Sequence, residues 1–294
     1  NQADVTEFAG EVDRDETIAA LFVQDEIQLG RWALLLGLRG DRGGQGETAL
    51  SYRGGVRYDV SDRTTLRAGV ARAFRAPTLS DRYLPPTPFG PVTFVGNPDL
   101  KPETAISAEI GWLQRIGSGL HLEVTAYAIR SDGFWDFIAD TGSLFKAQNI
   151  TRVPIYGLEA TLSARLTSRF DARLGYTYND AKYSEFIGDP SVEGNYVDDN
   201  VLHSGSASLS WAAARGVDFW LSGQFVGRRY TDPENTEAGR LKPYQLVGAG
   251  VSVRIAEPIT LRLKADNLFD QHYQTRPEFY QAGLTFTVGL QASF

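Results

Sequence analysis

Residues 284–294 alternate. Leu284, Phe286, Val288, Leu290, Ala292 and Phe294 are apolar or small, and Thr285, Thr287, Gly289, Gln291 and Ser293 between them are polar or lack a side chain. A period of two over about eleven residues predicts a strand with one apolar face. A closing strand of a soluble sandwich fits this pattern. So does a strand of an outer-membrane barrel, which needs about nine to eleven tilted residues to cross lipid and seats an aromatic at the water boundary.

The same unit recurs from the front. Residues 1–16 are polar and acidic without period and predict a loop. Leu21, Val23, Ile27 and Leu29 then alternate to a turn at Gly30-Arg31, and Trp32, Leu34, Leu36 and Leu38 return from it. A glycine-rich loop is expected over 40–47, a strand over 50–60, a turn at Ser61-Asp62, and a strand through Leu66, Ala68, Val70 and Phe74. A long Pro-rich loop is expected from Arg75 to Lys101, and another loop at about 131–146. Between these lie Ile106 to Trp112 and Leu120 to Ala126. The clearest hairpin follows, from Tyr156 to Leu166, turning at Thr167-Ser168 and returning from Phe170 to Tyr178. After an acidic loop to Asn200, four more alternating stretches lead to the last one, giving about thirteen strands.

Two regularities favour the membrane. Short turns near 30, 61, 116, 167, 214 and 257 alternate with long loops near 43, 88, 139, 190, 235 and 277, the asymmetry of periplasmic turns and extracellular loops. The aromatics also sort by height. Trp32, Trp112, Phe170, Trp211, Phe219 and Phe294 lie near the short turns, and Phe74, Tyr178 and Phe225 lie toward the long loops, as in two interfacial girdles. The opposite face is Glu, Arg, Asp, Thr, Ser and Gly, suited to a wide wet lumen or one filled by a polar domain. The predicted fold is all-β, a transmembrane antiparallel up-and-down β-barrel. Its first and last strands both descend from a long loop, so they cannot close antiparallel, and the barrel is expected to be incomplete.

Composition narrows the function classes. The 294 residues include 42% hydrophobic positions but no apolar run near the length of a spanning helix, which excludes a helical membrane protein. Zero Cys removes thiolate metal sites and cysteine catalysis, and zero Met in a chain beginning Asn1-Gln2 is expected of a processed or truncated product. A net charge of -7 without a clustered basic face argues against a nucleic-acid partner. The three His residues, His121, His203 and His272, are scattered without metal-ligand spacing, and Ser206, Ser208 and Ser210 near His203 fall on the lumen side. No enzyme activity, cofactor or metal is expected. Asp189, Glu193, Asp198 and Asp199 have the oxygen chemistry for Ca2+, with a solvated loop as the simpler reading.

Four short motifs in order carry a resemblance. They are Arg72-Ala-Phe-Arg75-Ala-Pro-Thr-Leu-Ser-Asp-Arg82-Tyr83, then Gly96-Asn97-Pro98-Asp99-Leu100-Lys101-Pro102-Glu103, then Asn267-Leu268-Phe269-Asp270 with Tyr273, and terminal Phe294. The chain resembles, over nearly its whole length, the C-terminal half of the barrel of a TonB-dependent outer-membrane receptor. The resemblance implies a barrel of about 22 strands around a plug, with about nine strands, the plug and the TonB-contacting box upstream of Asn1. Residues 1–294 are then the C-terminal portion of the barrel domain. Implied partners are outer-membrane lipid, the receptor's own plug, the TonB complex through the upstream region, the barrel assembly machinery and a small-molecule metal chelate. Tyr273, Phe286, Val288, Leu290 and Phe294 resemble the C-terminal signal read by the assembly machinery.

The motifs also have plain physical readings. Asn97-Pro98 and Lys101-Pro102 fix extended or turn geometry ahead of a descending strand, and Glu103 accepts hydrogen bonds at the lip. Asn267, Leu268, Phe269 and Asp270 end an ascending strand, where Asn and Asp side chains bond nearby backbone. Arg75, Arg82 and Tyr83, and the similar cluster Arg228, Arg229 and Tyr230, are expected at the mouth. There they either meet an anionic aromatic chelate through charge-assisted bonds and stacking or pack against neighbouring loops and the plug. Two function classes remain: a ligand-gated importer, of ferric siderophore first and cobalamin second, and a passive porin-type channel.

Overall fold

The computed structural model describes residues 15–43 and 47–292. Phe294, expected to end the last strand, lies outside the described residues, as does nearly all of the expected N-terminal loop. Thirteen long strands follow one another across a single antiparallel sheet. In chain order they are β1 (Ala19–Leu29), β2 (Trp32–Arg42), β3 (Thr48–Ser61), β4 (Thr64–Arg75), β5 (Glu103–Ile116), β6 (Leu120–Thr141) and β7 (Leu144–Arg165). Then come β8 (Phe170–Ala181), β9 (His203–Ala214), β10 (Val217–Val226), β11 (Tyr244–Ala256), β12 (Ile259–Asp266) and β13 (Thr285–Ala292). With an odd number of alternating strands, β1 and β13 run the same way and form the two edges, so the described sheet is an open barrel wall.

The register sets the faces. Leu29 pairs with Trp32, Tyr58 with Leu66, Leu66 with Trp112, Leu162 with Leu174, and Leu263 with Val288, so the apolar positions of neighbouring strands align in rows. Leu36, Val70, Ile110, Leu174, Leu221, Phe286, Val288 and Leu290 are all exposed on that face. A contiguous apolar surface of this extent is foreign to a soluble monomer and matches a lipid-facing band. Near the short turns, Trp32 stacks on Tyr58 at 4.3 Å, Phe170 on Trp211 at 5.5 Å and Trp211 on Phe219 at 5.4 Å. The lower girdle is therefore built of cross-strand ring pairs.

Two connections differ from the sequence reading. The expected loop at 131–146 is strand: β6 and β7 are 22 residues each and rise past their neighbours as a blade. It stands clear of the lipid, without lipid on one side and lumen on the other, so the alternation that marks a wall strand is absent there. A bulge at Gly133 (φ +77°) also shifts the register. The glycine-rich loop expected from residue 40 starts later, because Gly40 pairs with Leu50 inside the sheet and β2 runs on to Arg42. The Pro-rich connection 76–102 holds a short helix α1 (Leu79–Tyr83) and a small hairpin, Thr87–Phe89 with Val92–Val95, whose second strand adds in parallel to β7 at Leu144 to Lys146.

Candidate functional site: the mouth and the inner wall

The inner wall is the polar set of the alternation. Along β8 to β11 it carries Gly175, Thr177, Ser204, Ser206, Ser222, Gln224 and Gly248, which with Glu159, Asp266 and Tyr273 line a concavity of about 870 Å³. Along β3 to β6 the same face is charged: Arg57 pairs with Asp59 at 3.3 Å, and Arg67 with Glu123 at 3.0 Å and the Thr125 hydroxyl at 2.8 Å. Arg53 donates to Gln24 across β2.

The first mouth cluster divides when its side chains are placed. Arg75 ends β4 on the inner face, pairs with Glu103 at 3.1 Å and lies 5.4 Å over the Trp135 ring, with 63% of its side chain still exposed. Glu103 is buried and is held between that guanidinium and the Trp135 backbone N–H at 3.4 Å. Arg82 is only 2% exposed and is spent on Glu47 inside the loop, so it is not presented to the mouth. Tyr83 is half-buried beside it. Thr78 caps α1, accepting from the Asp81 N–H at 3.2 Å while its own N–H donates to Asp81 at 2.7 Å.

The second cluster is mainly a clasp. Arg229 donates to the Thr275 carbonyl at 2.6 Å and sits 3.6 Å from Asp199, joining the loops 182–202, 227–243 and 267–284. Tyr230 stacks on Tyr196 at 6.4 Å, and its carbonyl accepts from the Asp199 N–H. Arg228 alone of the three is exposed.

The motif 96–103 locks the Pro-rich loop to the blade. Asn97 donates to the Ala147 carbonyl at 2.8 Å, and Asn149 exchanges two 2.9 Å bonds with the Lys101 backbone. Leu100 is buried between them. Pro98 and Pro102 flank these bonds in non-helical backbone. Gly96 passes so close to α1 that a Cβ would stand 2.6 Å from the Leu84 nitrogen. At the end of β12, Asn267 (φ +52°) is buried, donates to the Gln271 carbonyl at 2.9 Å and accepts from the Gln271 N–H at 2.9 Å. Leu268 N–H bonds Val247, Phe269 is exposed, and Asp270 accepts from Leu284 N–H at 2.9 Å, stapling both ends of the loop 267–284. Tyr273, in that loop, packs tilted against Tyr244 of β11 at 4.5 Å, at the opposite end of the wall from the foot of β13. It therefore does not share the terminal strand with Phe286, Val288 and Leu290.

Sequence reasoning missed the aromatic wall of the blade. Phe94 packs on Phe137 at 5.2 Å and Phe145 at 5.6 Å, with Trp135 edge-on to Phe137 at 6.2 Å. Its sequence signal is the aromatic density of 134–145, with Phe134, Trp135, Phe137 and Phe145. The acidic loop carries an ordinary small core instead of a cation site: Val153, Ala181, Tyr183 and Val192 pack together, with Phe186 and Val197 against them. Burial, then the hydrogen bond to Asp198, pushes the Tyr183 hydroxyl pKa up. The Ser191 hydroxyl and N–H hold the Asp189 carboxyl below its usual range. Glu193 accepts from Phe186 N–H, and among the described residues no cluster of three metal-ligating side chains occurs.

An apolar outer band, ring girdles, a polar inner wall and alternating short and long connections define an outer-membrane β-barrel protein. The family model described as TonB dependent receptor-like, beta-barrel matches residues 4–268, and the chain belongs to that family. It is similar to an iron-regulated outer membrane virulence protein of Vibrio cholerae, 28% identical over 93% of this chain and 44% of that protein. A vitamin B12 transporter of Photobacterium profundum is 25% identical over 93% of this chain and 42% of the relative. The crystal structure of a ferric enterobactin receptor superposes with a TM-score of 0.81 at 21% identity, covering 95% of this chain and 46% of that one. The chain thus spans about half the length of the relatives it matches, which are outer-membrane receptors and transporters and not enzymes.

Proposed function

We propose that this chain is the C-terminal portion of the barrel of a receptor that imports a ferric siderophore with energy from TonB, its plug and remaining strands being supplied by further sequence. The observation that carries the reading is Arg75. Its guanidinium is oriented by Glu103, stacked on Trp135 and exposed at the mouth beside an aromatic wall, a setting that favours an anionic aromatic chelate over a neutral solute. The polar concavity below gives such a ligand a wet route along the wall. The similarity to a vitamin B12 transporter keeps cobalamin as the second cargo.

The test uses the full-length receptor in a host stripped of its own siderophore and cobalamin receptors. Uptake of radiolabelled ferric catecholate that requires TonB is expected. Uptake of cobalamin alone would replace the cargo and keep the class, and TonB-independent leakage of small solutes would replace the importer with a passive channel.

A further inference from the structure

We propose that Arg173, flanked by Ser163 and Ser208 at the periplasmic end of the inner wall, is a station that holds an anionic oxygen of the cargo on its way out of the barrel. The inference rests on the proposed import of an anionic chelate and deepens it.

The register builds the station. Arg173 stands three residues above Phe170, at the foot of β8, and pairs with Ser163 of β7 and Ser208 of β9. Its neighbour Leu174 pairs with Leu162 and Ala207 on the outer face, so Arg173 belongs to the inner one. Directly paired residues place their Cβ atoms about 5 Å apart, which brings a hydroxyl to either side of the Arg173 side chain. His121 follows Ser163 in the same row, one strand further along. These side chains line a concavity of about 400 Å³.

Charge singles out one cation there. Arg165, in the same concavity, is paired with Asp171 at 3.2 Å, whereas Arg173 is exposed and has no ion pair or hydrogen bond among the described residues. A guanidinium with free N–H groups between two hydroxyls offers donors to a carboxylate, phenolate or hydroxamate oxygen. The lower concavity also continues the upper one. Thr161, Gly175 and Ser206, which line the concavity of about 870 Å³, are the next inner-face positions above Ser163, Arg173 and Ser208 on the same strands. The upper concavity reaches Tyr273 and Gln281 in the mouth loop, so one polar groove runs down the wall from the mouth and ends at Arg173. Arg262 provides a comparison within the molecule. It stands three residues above Ile259 at the foot of β12, faces inward between Ser252 and Gly289, and lines neither concavity.

The experiment uses the full-length receptor in the receptor-deficient host and measures two quantities with radiolabelled ferric catecholate: binding to de-energised cells and TonB-dependent uptake. Entry of a large antibiotic that an intact outer membrane excludes reports whether the lumen stays plugged, and heat-modifiable migration reports folding. Arg173→Gln is expected to bind the chelate as tightly as the wild type and to take it up about tenfold more slowly, the scale of one charge-assisted hydrogen bond. Arg173→Lys should recover most of the rate, and Arg262→Gln should match the wild type in every measurement. Uptake by Arg173→Gln at the wild-type rate would overturn the station and leave the cargo untouched. An equal loss in Arg262→Gln would overturn it in favour of a general effect of lumen charge. Weakened binding or antibiotic entry in Arg173→Gln would assign the residue to holding the plug, and that too would overturn the station. A wild type that takes up no ferric chelate would overturn the reading of the cargo, and the station with it.

Discussion

The wall and the cap of this molecule are stabilised in opposite ways. Among the described residues, the buried apolar side chains, Leu100, Ala147, Ile150, Val153, Ala181, Tyr183, Val192, Val226, Leu241 and Tyr244, lie in the extracellular cap or at the strand ends beneath it. The large apolar residues of the wall face outward. The cap is folded like a small globular protein, with a core, capped turns and buried amides. The wall has no core of its own, and its apolar solvent is the bilayer. A substitution that adds charge should therefore be judged by depth in the wall and by burial and hydrogen bonding in the cap.

The largest effect is expected at the middle of the wall. Leu162 pairs with Leu122 and Leu174 on the outer face, whereas Thr161 beside it lines the concavity. Leu162→Arg in the full-length protein should cost roughly 2 to 4 kcal/mol in bilayers, and Thr161→Arg much less. Arg placed at Leu158, Leu162 and Leu166 should give penalties that peak near Leu162. A flat profile in denaturant titrations would erase the distinction between wall and cap.

Assembly of the wall should depend on its last strand. Phe286, Val288 and Leu290 pair with Ala265, Leu263 and Leu261 and are exposed on the lipid side. Deleting Phe294, or replacing Phe286 by Asp, should lower the yield of heat-modifiable receptor in the membrane, while Thr287→Ser on the inner face should not. Equal yields would remove the proposed role of the terminal alternation.

A smaller, local loss is expected in the cap. Asn267→Ala removes a buried amide and leaves the Gln271 backbone N–H and carbonyl without their partner, a cost of about 1 to 3 kcal/mol. Hydrogen exchange should quicken over 267–284 and stay unchanged in β3 to β6. Exchange that quickened throughout the barrel would show that cap and wall unfold as one unit.

The sequence revealed the wall far better than the cap, and the reason is the environment of each residue. A wall strand has lipid on one side and water on the other, which writes a period of two into Leu158, Ala160, Leu162 and Ala164. The blade rises clear of the lipid, packing Phe137 and Phe145 on Phe94 while Phe134 and Asp136 stay exposed, so Phe134 to Leu144 carry no such period and their sequence predicts loop. Arg82 and Arg229 are visible as cations near the mouth, but their burial depends on Glu47, Asp199 and the Thr275 carbonyl, partners from 30 to 46 residues away. Asn267 is legible because its bonds to Gln271 close within the motif's own turn, whereas the Asn97 bond to Ala147 spans 50 residues and only its turn geometry is local.

The finest contrast lies within the cap, between Arg75 and Arg82. Both belong to one motif and both pair with a glutamate, yet the first is 63% exposed along its side chain and the second is almost fully enclosed. Arg75→Ala leaves the buried Glu103 with its bond from the Trp135 backbone N–H, a cost of about 1 to 3 kcal/mol at the start of β5 and outside the loop 76–102. Removing Arg82 empties an enclosed site and takes the partner from the half-buried Glu47, and breaking a buried pair costs about 3 to 5 kcal/mol as an upper bound, here felt in the loop 76–102 and at its contact with Glu47. Chelate binding separates the two roles. Arg75→Ala should weaken capture of the ferric chelate with unchanged protease resistance of the loop, and Arg82→Ala should weaken capture only as far as the loop becomes cleavable. If Arg75→Ala bound the chelate as tightly as the wild type, Arg75 would be part of the cap's scaffold and not of its ligand surface.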